Sequence, residues 1–434
     1  MRSMKVLAAL VTAAATMGLA ACGGGGDSTD STFGDASASD LEGQSIKVLM
    51  PYKMPESILN DFTDETGVDV DYETAGWDSV ASKLVTANQA GTYIADVTEF
   101  DWSWTGQFGG NGWYEPLQDA LDPAVLDDLG GTKDSFTADD NLYAACYAND
   151  FKISLYNKAM FDKAGISEFP QTFDELGDAY DKIKSSGVAD YPLTMPMAAT
   201  EGSVTPWYLL TLAMGGELFD DDWNPQFNDP DSGGYKALQW QVDAINNGWV
   251  SPGSVSLDDG PALERFTGGA AASAISAGPG NLTEANDPGT SSIAGDAAAG
   301  LVPGVDGPGA SFGLQEGFGI PVTAESKDAA AAFIDFVLKP ENQELMYTEG
   351  GFLPCGKTAL DSLASKNKIE GGDVISQEFD QIAPLFPQGA PKWYSQFSSE
   401  AQGLLNAAYK GDMTVQEALD QLADRATDLV ESSS

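Results

Sequence analysis

Histidine is absent from this chain of 434 residues, and cationic residues are scarce. Without histidine, Ser/His/Asp and Cys/His catalysis, HExxH zinc sites and histidine-based pH sensing are excluded. The 21 Lys plus Arg are outnumbered by 66 Asp plus Glu, which gives a net charge of −45. A surface of this sign repels phosphate backbones, so we expect no nucleic-acid partner. Carboxylate-pair glycosidases and calcium sites with oxygen ligands are compatible with this composition.

Long apolar runs are also scarce, and the longest lies at the N-terminus. Arg2 and Lys5 precede an Ala-rich run over residues 6–21, which is too short to cross a bilayer comfortably and is typical of an export signal. The run ends in Leu19-Ala20-Ala21-Cys22, which resembles a bacterial lipobox. We therefore predict a lipoprotein signal peptide over residues 1–21, lipidation at Cys22 and a flexible Gly/Ser/Asp tether over residues 22–44. The alternative is an ordinary signal peptide with a chance cysteine beside its cleavage site.

Export and lipidation together predict a location. No second segment of about 18 apolar residues is present, so membrane attachment would come from the lipid alone. We expect the protein to be exported and lipid-anchored to the outer face of the bacterial cytoplasmic membrane. If Cys22 carries lipid, Cys146 and Cys355 remain. Two leftover thiols in an oxidising compartment commonly pair, and two separately buried thiols are the alternative.

The periodicity of apolar residues indicates an α/β protein. A short apolar strand over Ile46–Met50 is followed by a helix that ends at Gly67 and by the alternating segment Val68–Glu73, with a further strand over Tyr93–Val97. Capping boxes, in which Thr and Glu side chains satisfy free backbone N–H groups, open two later helices. Strands that alternate with helices predict a mainly parallel sheet.

Several segments, in this order, resemble the extracytoplasmic solute-binding proteins of ABC importers, specifically the sugar-binding group that includes maltose-binding protein. The segments are Phe62-Thr63-Asp64-Glu65-Thr66-Gly67, Ala95-Asp96-Val97, Gly112-Trp113-Tyr114-Glu115-Pro116-Leu117, Leu155-Tyr156-Asn157-Lys158, Gly215-Gly216-Glu217-Leu218-Phe219, Lys339-Pro340-Glu341-Asn342-Gln343, Trp393-Tyr394 and Thr414-Val415-Gln416-Glu417-Ala418-Leu419. The resemblance covers nearly everything from Ser45 to Glu431. One departure is Gly278-Pro279-Gly280, which lacks the tryptophan that many family members have there; it leaves room for a longer glycan or brings the backbone closer.

The resemblance implies a two-lobed periplasmic-binding-protein fold with a hinge, in which the ligand lies in the cleft between the lobes. It implies a first lobe of residues 45–150 plus 315–354 and a second lobe of residues 151–314 plus 355–434. Cys146 and Cys355 would then lie near chain crossings, so we hypothesise a disulfide near the hinge. The implied function is capture of a carbohydrate, an oligosaccharide above all, and its delivery to an ABC permease. We expect a monomer that has no catalytic residues and binds no metal or cofactor.

A sugar site needs flat aromatic rings together with carboxylates or amides. Glu99, Asp101 and Trp102 follow the strand predicted to end at Val97, and Trp77 follows the preceding strand. The carboxyl ends of parallel strands are where α/β folds open their binding crevice, so these four residues are candidate ligand contacts. The alternative is that the tryptophans are core residues and the acids cap the next helix.

The resemblance adds further candidate ligand contacts, and each has a structural alternative. They are Asn149, Asp150, Trp207, Glu316, Trp393 and Tyr394. Trp207 is the foremost stacking candidate, although a tryptophan at the start of an apolar helix can also belong to the core. Asn149 and Asp150 could instead form a surface turn.

Two other functions fit parts of the same sequence. An acidic cleft with aromatic rings also suits a polyamine or another organic cation. A glycoside hydrolase would need two carboxylates about 5 to 10 Å apart across the cleft, and no motif singles out such a pair.

Overall fold

The computed structural model describes residue 33 and residues 41–433. The predicted signal peptide, the lipidation site Cys22 and most of the predicted tether lie outside the described residues. Within the described ranges, no helix is both long enough and apolar enough to span a membrane.

Strands and helices alternate along most of the described chain. The strands are β1 (Ser45–Met50), β2 (Asp69–Thr74), β3 (Val97–Asp101), β4 (Thr137–Ala138), β5 (Asn141–Leu142), β6 (Ala144–Phe151), β7 (Ile153–Asn157), β8 (Leu193–Thr194), β9 (Ser273–Ala277), β10 (Ala297–Gly300), β11 (Ser311–Gly319) and β12 (Ile382–Ala383). The α-helices are α1 (Glu56–Thr66), α2 (Trp77–Ala90), α3 (Pro123–Leu129), α4 (Lys158–Lys163), α5 (Phe173–Ser185), α6 (Glu201–Ala213), α7 (Gly233–Asn246), α8 (Asp259–Thr267), α9 (Pro279–Asn286), α10 (Lys327–Leu338), α11 (Pro340–Gly350), α12 (Lys357–Ser365), α13 (Gly372–Phe379), α14 (Tyr394–Lys410) and α15 (Val415–Ser433).

The larger sheet is mixed, whereas the sequence pattern predicted a mainly parallel one. β1 pairs in parallel with β2 on one side and with β3 on the other. β11 pairs antiparallel with β3 along one edge and antiparallel with β6 along the other. The path of the chain explains this difference. β11 follows β10, which belongs to a separate smaller sheet, and so it enters the larger sheet from the opposite end. The short β12 joins the start of β11 in parallel.

The smaller sheet has the order β10-β7-β9-β8. β7 is antiparallel to both neighbours, and β8 is parallel to β9. Only Lys152 separates β6 of the larger sheet from β7 of the smaller sheet, so the chain crosses between the two sheets here. β11 makes a return crossing, since Gly313 pairs with Phe151 at the end of β6.

Helices cover the sheets through apolar faces. The Phe62 ring of α1 packs against Phe333 and Phe336 of α10, at centroid distances of 5.2 and 5.4 Å. Near the C-terminus, α14 and α15 pack against α6 and α7. The amide of Asn406 in α14 donates to the carbonyl of Met197 at 2.7 Å. These buried aromatic and amide contacts hold the helices on the sheets.

Local signals in the sequence are confirmed at several helix ends. α1 ends at Thr66, and Gly67 takes the left-handed conformation with φ 72°, which glycine adopts at little cost. α5 opens with a capping box between Thr172 and Glu175. Before α15, the backbone N–H of Glu417 donates to Thr414 Oγ1, and that of Thr414 donates to Glu417 Oε2.

One predicted strand lies four residues further along the chain than expected. The segment Tyr93–Val97 was predicted to be extended, but β3 begins at Val97 and continues through Asp101. Every residue of β3 is buried, so the acids at positions 99 and 101 did not interrupt the strand. As a result Glu99 lies within β3, and Asp101 is the last residue of the strand, at its carboxyl end.

A disulfide joins Cys146 in β6 to Cys355, which follows α11. Their Cα atoms are 5.7 Å apart, and both residues are fully buried. Beside this link, the backbone N–H of Asn149 donates to the carbonyl of Leu353 at 3.1 Å. The disulfide therefore fixes the segment after α11 against the strand that leads into the crossing.

Candidate functional site

A cavity of about 600 Å³ opens at the carboxyl ends of β2 and β3, beside the crossing between β6 and β7. Six of the predicted ligand contacts line it: Trp77, Asp101, Trp102, Asn149, Asp150 and Glu316. Other lining residues include Tyr52, Gly280, Thr283, Tyr347, Phe352, Leu353 and Glu370. The wall thus combines aromatic rings with carboxyl and amide groups. It has four acids and, among the described lining residues, neither Lys nor Arg.

The floor of the cavity is built where β3 ends against β11. Asp101 and Glu316 are opposite each other in the register of these two strands. Asp101 Oδ1 accepts a hydrogen bond from the backbone N–H of Ser103 at 2.8 Å and another from the Ser103 hydroxyl. The indole of Trp102 is held edge-on by Tyr394 at 5.0 Å and by Phe312 at 5.5 Å. These contacts fix the orientation of both side chains before any ligand arrives.

Tyr52 lines the opening of the cavity, and two further tyrosines that do not line it hold neighbouring groups in place. Tyr52 follows β1, is 41% exposed, and donates through its hydroxyl to Glu316 Oε1 at 3.4 Å. The Tyr72 hydroxyl donates to the carbonyl of Tyr52 at 2.8 Å and so holds this loop. Below them, the Tyr147 hydroxyl donates to Glu99 Oε2 at 2.8 Å.

The amide group of Asn149 is buried without a partner. The residue is 1% exposed and belongs to the lining of the cavity, yet neither Nδ2 nor Oδ1 has a hydrogen-bond partner within the protein. A buried amide in this state costs free energy until a ligand or a water supplies the missing bonds. Asn149 is therefore suited to recognise a group that both donates and accepts, as a sugar hydroxyl does.

The family model described as bacterial extracellular solute-binding protein matches residues 49–344. The chain belongs to this family. Its fold agrees, because the sugar-binding protein MalE from Xanthomonas citri superposes with a TM-score of 0.78 at 22% identity, over 90% of this chain and 98% of that one.

Two curated relatives are similar to this solute-binding protein over most of its length. The diacetylchitobiose binding protein DasA of Streptomyces coelicolor is 24% identical over 402 residues, which cover 89% of this chain and 90% of the relative. The mannitol-binding protein of Pseudomonas aeruginosa is 28% identical over 332 residues, which cover 72% of this chain and 75% of the relative. The family and these neighbours are binding proteins rather than enzymes.

Glu99 does not line the cavity of this solute-binding protein, contrary to the expectation from its sequence. Because β3 continues through Asp101, the Glu99 carboxyl lies one layer below the floor and is completely buried. Burial, and then the negative charge of Glu316, raise the pKa of Glu99 well above its usual range. Glu99 therefore holds the Tyr147 hydroxyl beneath the site and does not line the cavity.

Trp207, the foremost stacking candidate, is also placed away from the cavity. It is fully buried in α6, where its indole N–H donates to the carbonyl of Gly234 at 2.9 Å and its ring packs on Phe227 at 5.5 Å. Most residues of α6 are buried, and none of them lines the cavity. The expectation that Trp207 stacks on a ligand is corrected accordingly.

Trp393 and Tyr394 are likewise absent from the described lining of the cavity. The Trp393 ring packs on Phe219 at 5.1 Å, in the aromatic core below α14. Tyr394 donates through its hydroxyl to Glu201 Oε1 at 2.7 Å and packs against Trp102. Tyr394 thus supports a cavity residue instead of forming the wall itself.

Some lining residues were not predicted from the sequence. Tyr52 follows the carboxyl end of β1, so the rule that identified Trp77 and Trp102 would also have identified it. Tyr347 and Phe352 belong to the end of α11 and the segment after it. No local pattern marks them, because the chain brings them to the cavity through a long-range contact. Within the described residues, no group of three acids or cysteines is arranged to hold a metal ion.

The buried acids predict an unusual dependence of stability on pH. Burial, and then the charge of Glu316, raise the pKa of Asp101 to about 7. Since an unfolded aspartate titrates at about 3.9, the folded state binds more protons between these values. The free energy of unfolding should therefore rise as the pH falls from about 7 to about 4.

Denaturant unfolding of ligand-free protein at a series of pH values measures this effect. The variant Asp101→Asn should show a smaller rise on acidification than the unsubstituted protein, since one proton-binding group has been removed. Burial also raises the pKa of Glu378 to about 8, so the variant should keep part of the trend. Identical pH profiles for variant and parent would contradict the assignment to Asp101.

Proposed function

We propose that this solute-binding protein captures a carbohydrate in the cavity and delivers it to an ABC permease, while a lipid on Cys22 holds it at the membrane. The observation that carries this proposal is the convergence of Trp77, Trp102 and Tyr52 with carboxylates and the unpartnered amide of Asn149 in one cavity. Aromatic faces suit the C–H faces of a sugar ring, and the polar groups suit its hydroxyls. The named ligands of the relatives, mannitol and diacetylchitobiose, are in keeping with it.

The proposed mechanism is closure of two lobes over the ligand. The first lobe would comprise residues 45–150 plus 315–354, and the second residues 151–314 plus 355–434. The first sheet and the second sheet supply their cores, and the crossings at Lys152 and at the start of β11 would act as the hinge. The protein would act as a monomer and perform no chemistry on the sugar.

Thermal unfolding of the protein lacking residues 1–40, which keeps the buried Leu41, against a ligand panel tests the proposal. The panel contains mono- and oligosaccharides, polyols and polyamines, because a ligand that binds only the folded state raises the unfolding midpoint. We expect one class of sugar or polyol to raise the midpoint. The acidic wall without Lys or Arg also favours an organic cation as a second candidate. A response to polyamines alone would replace the carbohydrate with that second candidate.

Replacement of Trp77 with alanine should weaken binding of the sugar that the panel identifies by about 1 kcal/mol, roughly fivefold. Trp77 lines the cavity at the start of α2 and is supported from behind by Trp104 at 5.1 Å. Calorimetric titration measures the affinity. Trp113→Ala is the matched control, because Trp113 is also partly exposed in the first lobe but does not line the cavity. Equal losses in both variants would argue against stacking on Trp77.

A further inference from the structure

Two carboxyl groups face each other across the floor of the cavity. Asp101 at the end of β3 and Glu316 in β11 are directly opposite in the register of these antiparallel strands, and both line the cavity. Side chains in such positions share a face of the sheet with Cβ atoms about 4.5 to 5.5 Å apart, and like charges there are destabilising. The floor therefore favours a proton or another positive charge between these two groups.

A third carboxyl group lies beneath this pair. Glu99 is two positions before Asp101 in β3, so its side chain is on the same face of the sheet. It is fully buried, and its Oε1 has no hydrogen-bond partner in the described part of the chain. Oε2 of Glu316 is likewise buried and without a partner there. Two carboxyl oxygens at the floor and just below it thus lack a donor, which costs free energy until one is supplied.

Neutral donors satisfy only part of these acids. The Tyr52 hydroxyl donates to Glu316 Oε1 at 3.4 Å. The Tyr147 hydroxyl donates to Glu99 Oε2 at 2.8 Å. Both hydrogen bonds that Asp101 accepts from described residues end on Oδ1, so Oδ2 is left for a ligand. One oxygen of each acid therefore remains for a further donor.

No cation in the described part of the chain balances these charges. Neither Lys nor Arg lines the cavity there, and neither forms an ion pair with Asp101, Glu316 or Glu99. Lys152 instead pairs with Asp150 of the cavity wall, at 3.0 Å, and so balances that acid. Burial and the charge of Glu316 accordingly raise the pKa of Asp101 to about 7. A cationic ligand group at the floor would relieve this excess negative charge.

We propose that the ligand is a saccharide that carries a protonated amine, and that this ammonium group binds between Asp101 and Glu316. The proposal rests on the proposed carbohydrate function and adds the chemical class of the sugar. An ammonium group has three N–H donors and a positive charge, so it can donate to both acids and neutralise them together. A hydroxyl group brings one donor and no charge. The rings of Trp77 and Trp102, which line the same cavity, would pack on the C–H faces of the sugar.

Calorimetric titration with matched sugars tests the role of the charge. Glucosamine, galactosamine and deacetylated chito-oligosaccharides are each compared with the N-acetylated form and with the parent neutral sugar. The titrations are made at about pH 7, where most of the amine is protonated. In at least one of these sets the amine should bind about 10- to 100-fold more tightly than both neutral forms, the range expected for a hydrogen bond to a charged group.

Substitution with an amide separates charge from hydrogen bonding. Glu316→Gln and Asp101→Asn keep the size of each side chain and one accepting oxygen but remove the charge. Each variant should weaken binding of the amine about tenfold or more, and change the affinity for the neutral forms less than about threefold. Neither should lower the unfolding midpoint at about pH 7, because the substitution removes the repulsion between like charges.

Glu217→Gln is the matched control for the charge of the whole protein. Glu217 is exposed and does not line the cavity, so its loss removes one negative charge elsewhere on the surface. A chain with a net charge of −45 attracts any cation over a long range. The control should leave the affinities for amine and neutral forms unchanged, which would assign the effects of the other two variants to the floor of the cavity.

The outcomes separate the ammonium group from the carbohydrate function. Equal affinity for amine and neutral forms, tighter binding of a neutral form, or failure of every amino sugar to bind would overturn the proposed amine. The carbohydrate function would stand wherever a neutral sugar binds. Equal weakening of amine and neutral forms by Glu316→Gln would also overturn it, because the carboxyl group would then serve only as a hydrogen-bond acceptor. Binding of no saccharide, with a response to polyamines, would overturn both proposals.

Discussion

Replacement of Trp207 with alanine is expected to lower the free energy of unfolding by about 3 to 5 kcal/mol, without changing the ligand affinity of the protein that remains folded. Trp207 is fully buried, packs on Tyr208 and Phe227, and donates its indole N–H to the carbonyl of Gly234. Removing the ring leaves a cavity and an unpaired carbonyl, which are both costly. Denaturant unfolding measures the loss of stability, and calorimetric titration below the unfolding transition measures affinity.

Trp77→Ala should show the reverse pattern, with weaker binding and a small change in stability. The two variants remove the same side chain from α6 and from the start of α2, so a comparison separates packing in the core from contact with the ligand. If Trp207→Ala weakened binding while its unfolding free energy stayed the same, Trp207 would be a ligand contact and its placement in the core would be wrong.

The parts of the fold that follow from short-range patterns were predicted closely. The alternation over Val68–Glu73 predicted β2, and the apolar face with a terminal glycine predicted α1, because each pattern is complete within one element. Resemblance in the order of segments predicted the two-lobed family fold. In the candidate site, strand ends predicted Trp77, Asp101 and Trp102, since ends of neighbouring parallel strands share one edge of a sheet.

The features of the site that could not be predicted from the sequence depend on contacts between residues that are distant along the chain. The sequence predicts that Glu99 lies in a loop after the strand. Pairing with β11 instead extends β3 beyond Glu99, and the Tyr147 hydroxyl donates a hydrogen bond to one oxygen of the Glu99 carboxyl group. Trp207 lies in the middle of the apolar helix α6, and no local pattern distinguishes a side chain that faces the core from one that faces a cavity. The part of the wall formed by Tyr347 depends on how α11 packs, and no local pattern in the sequence predicts this.

Loss of the disulfide is expected to lower the free energy of unfolding by about 2 to 4 kcal/mol. Cys146 and Cys355 are 209 residues apart in sequence, so the link closes a long loop and restricts the unfolded chain more than a short one would. It also holds Leu353, a residue of the cavity wall, beside Asn149. We therefore expect weaker ligand binding as well, in Cys146→Ala/Cys355→Ala or after reduction.

Denaturant unfolding with and without a thiol reductant measures the change, and calorimetric titration measures the effect on affinity. The reductant should destabilise the Cys22→Ser variant as it does the unsubstituted protein, and should have no effect on the double alanine variant, because only the Cys146–Cys355 link is sensitive to it. Alkylation and mass measurement of the oxidised, exported protein give a direct check. Two free thiols at positions 146 and 355 in that sample would contradict the disulfide, and the restraint on Leu353 would then have to come from its hydrogen bond with Asn149.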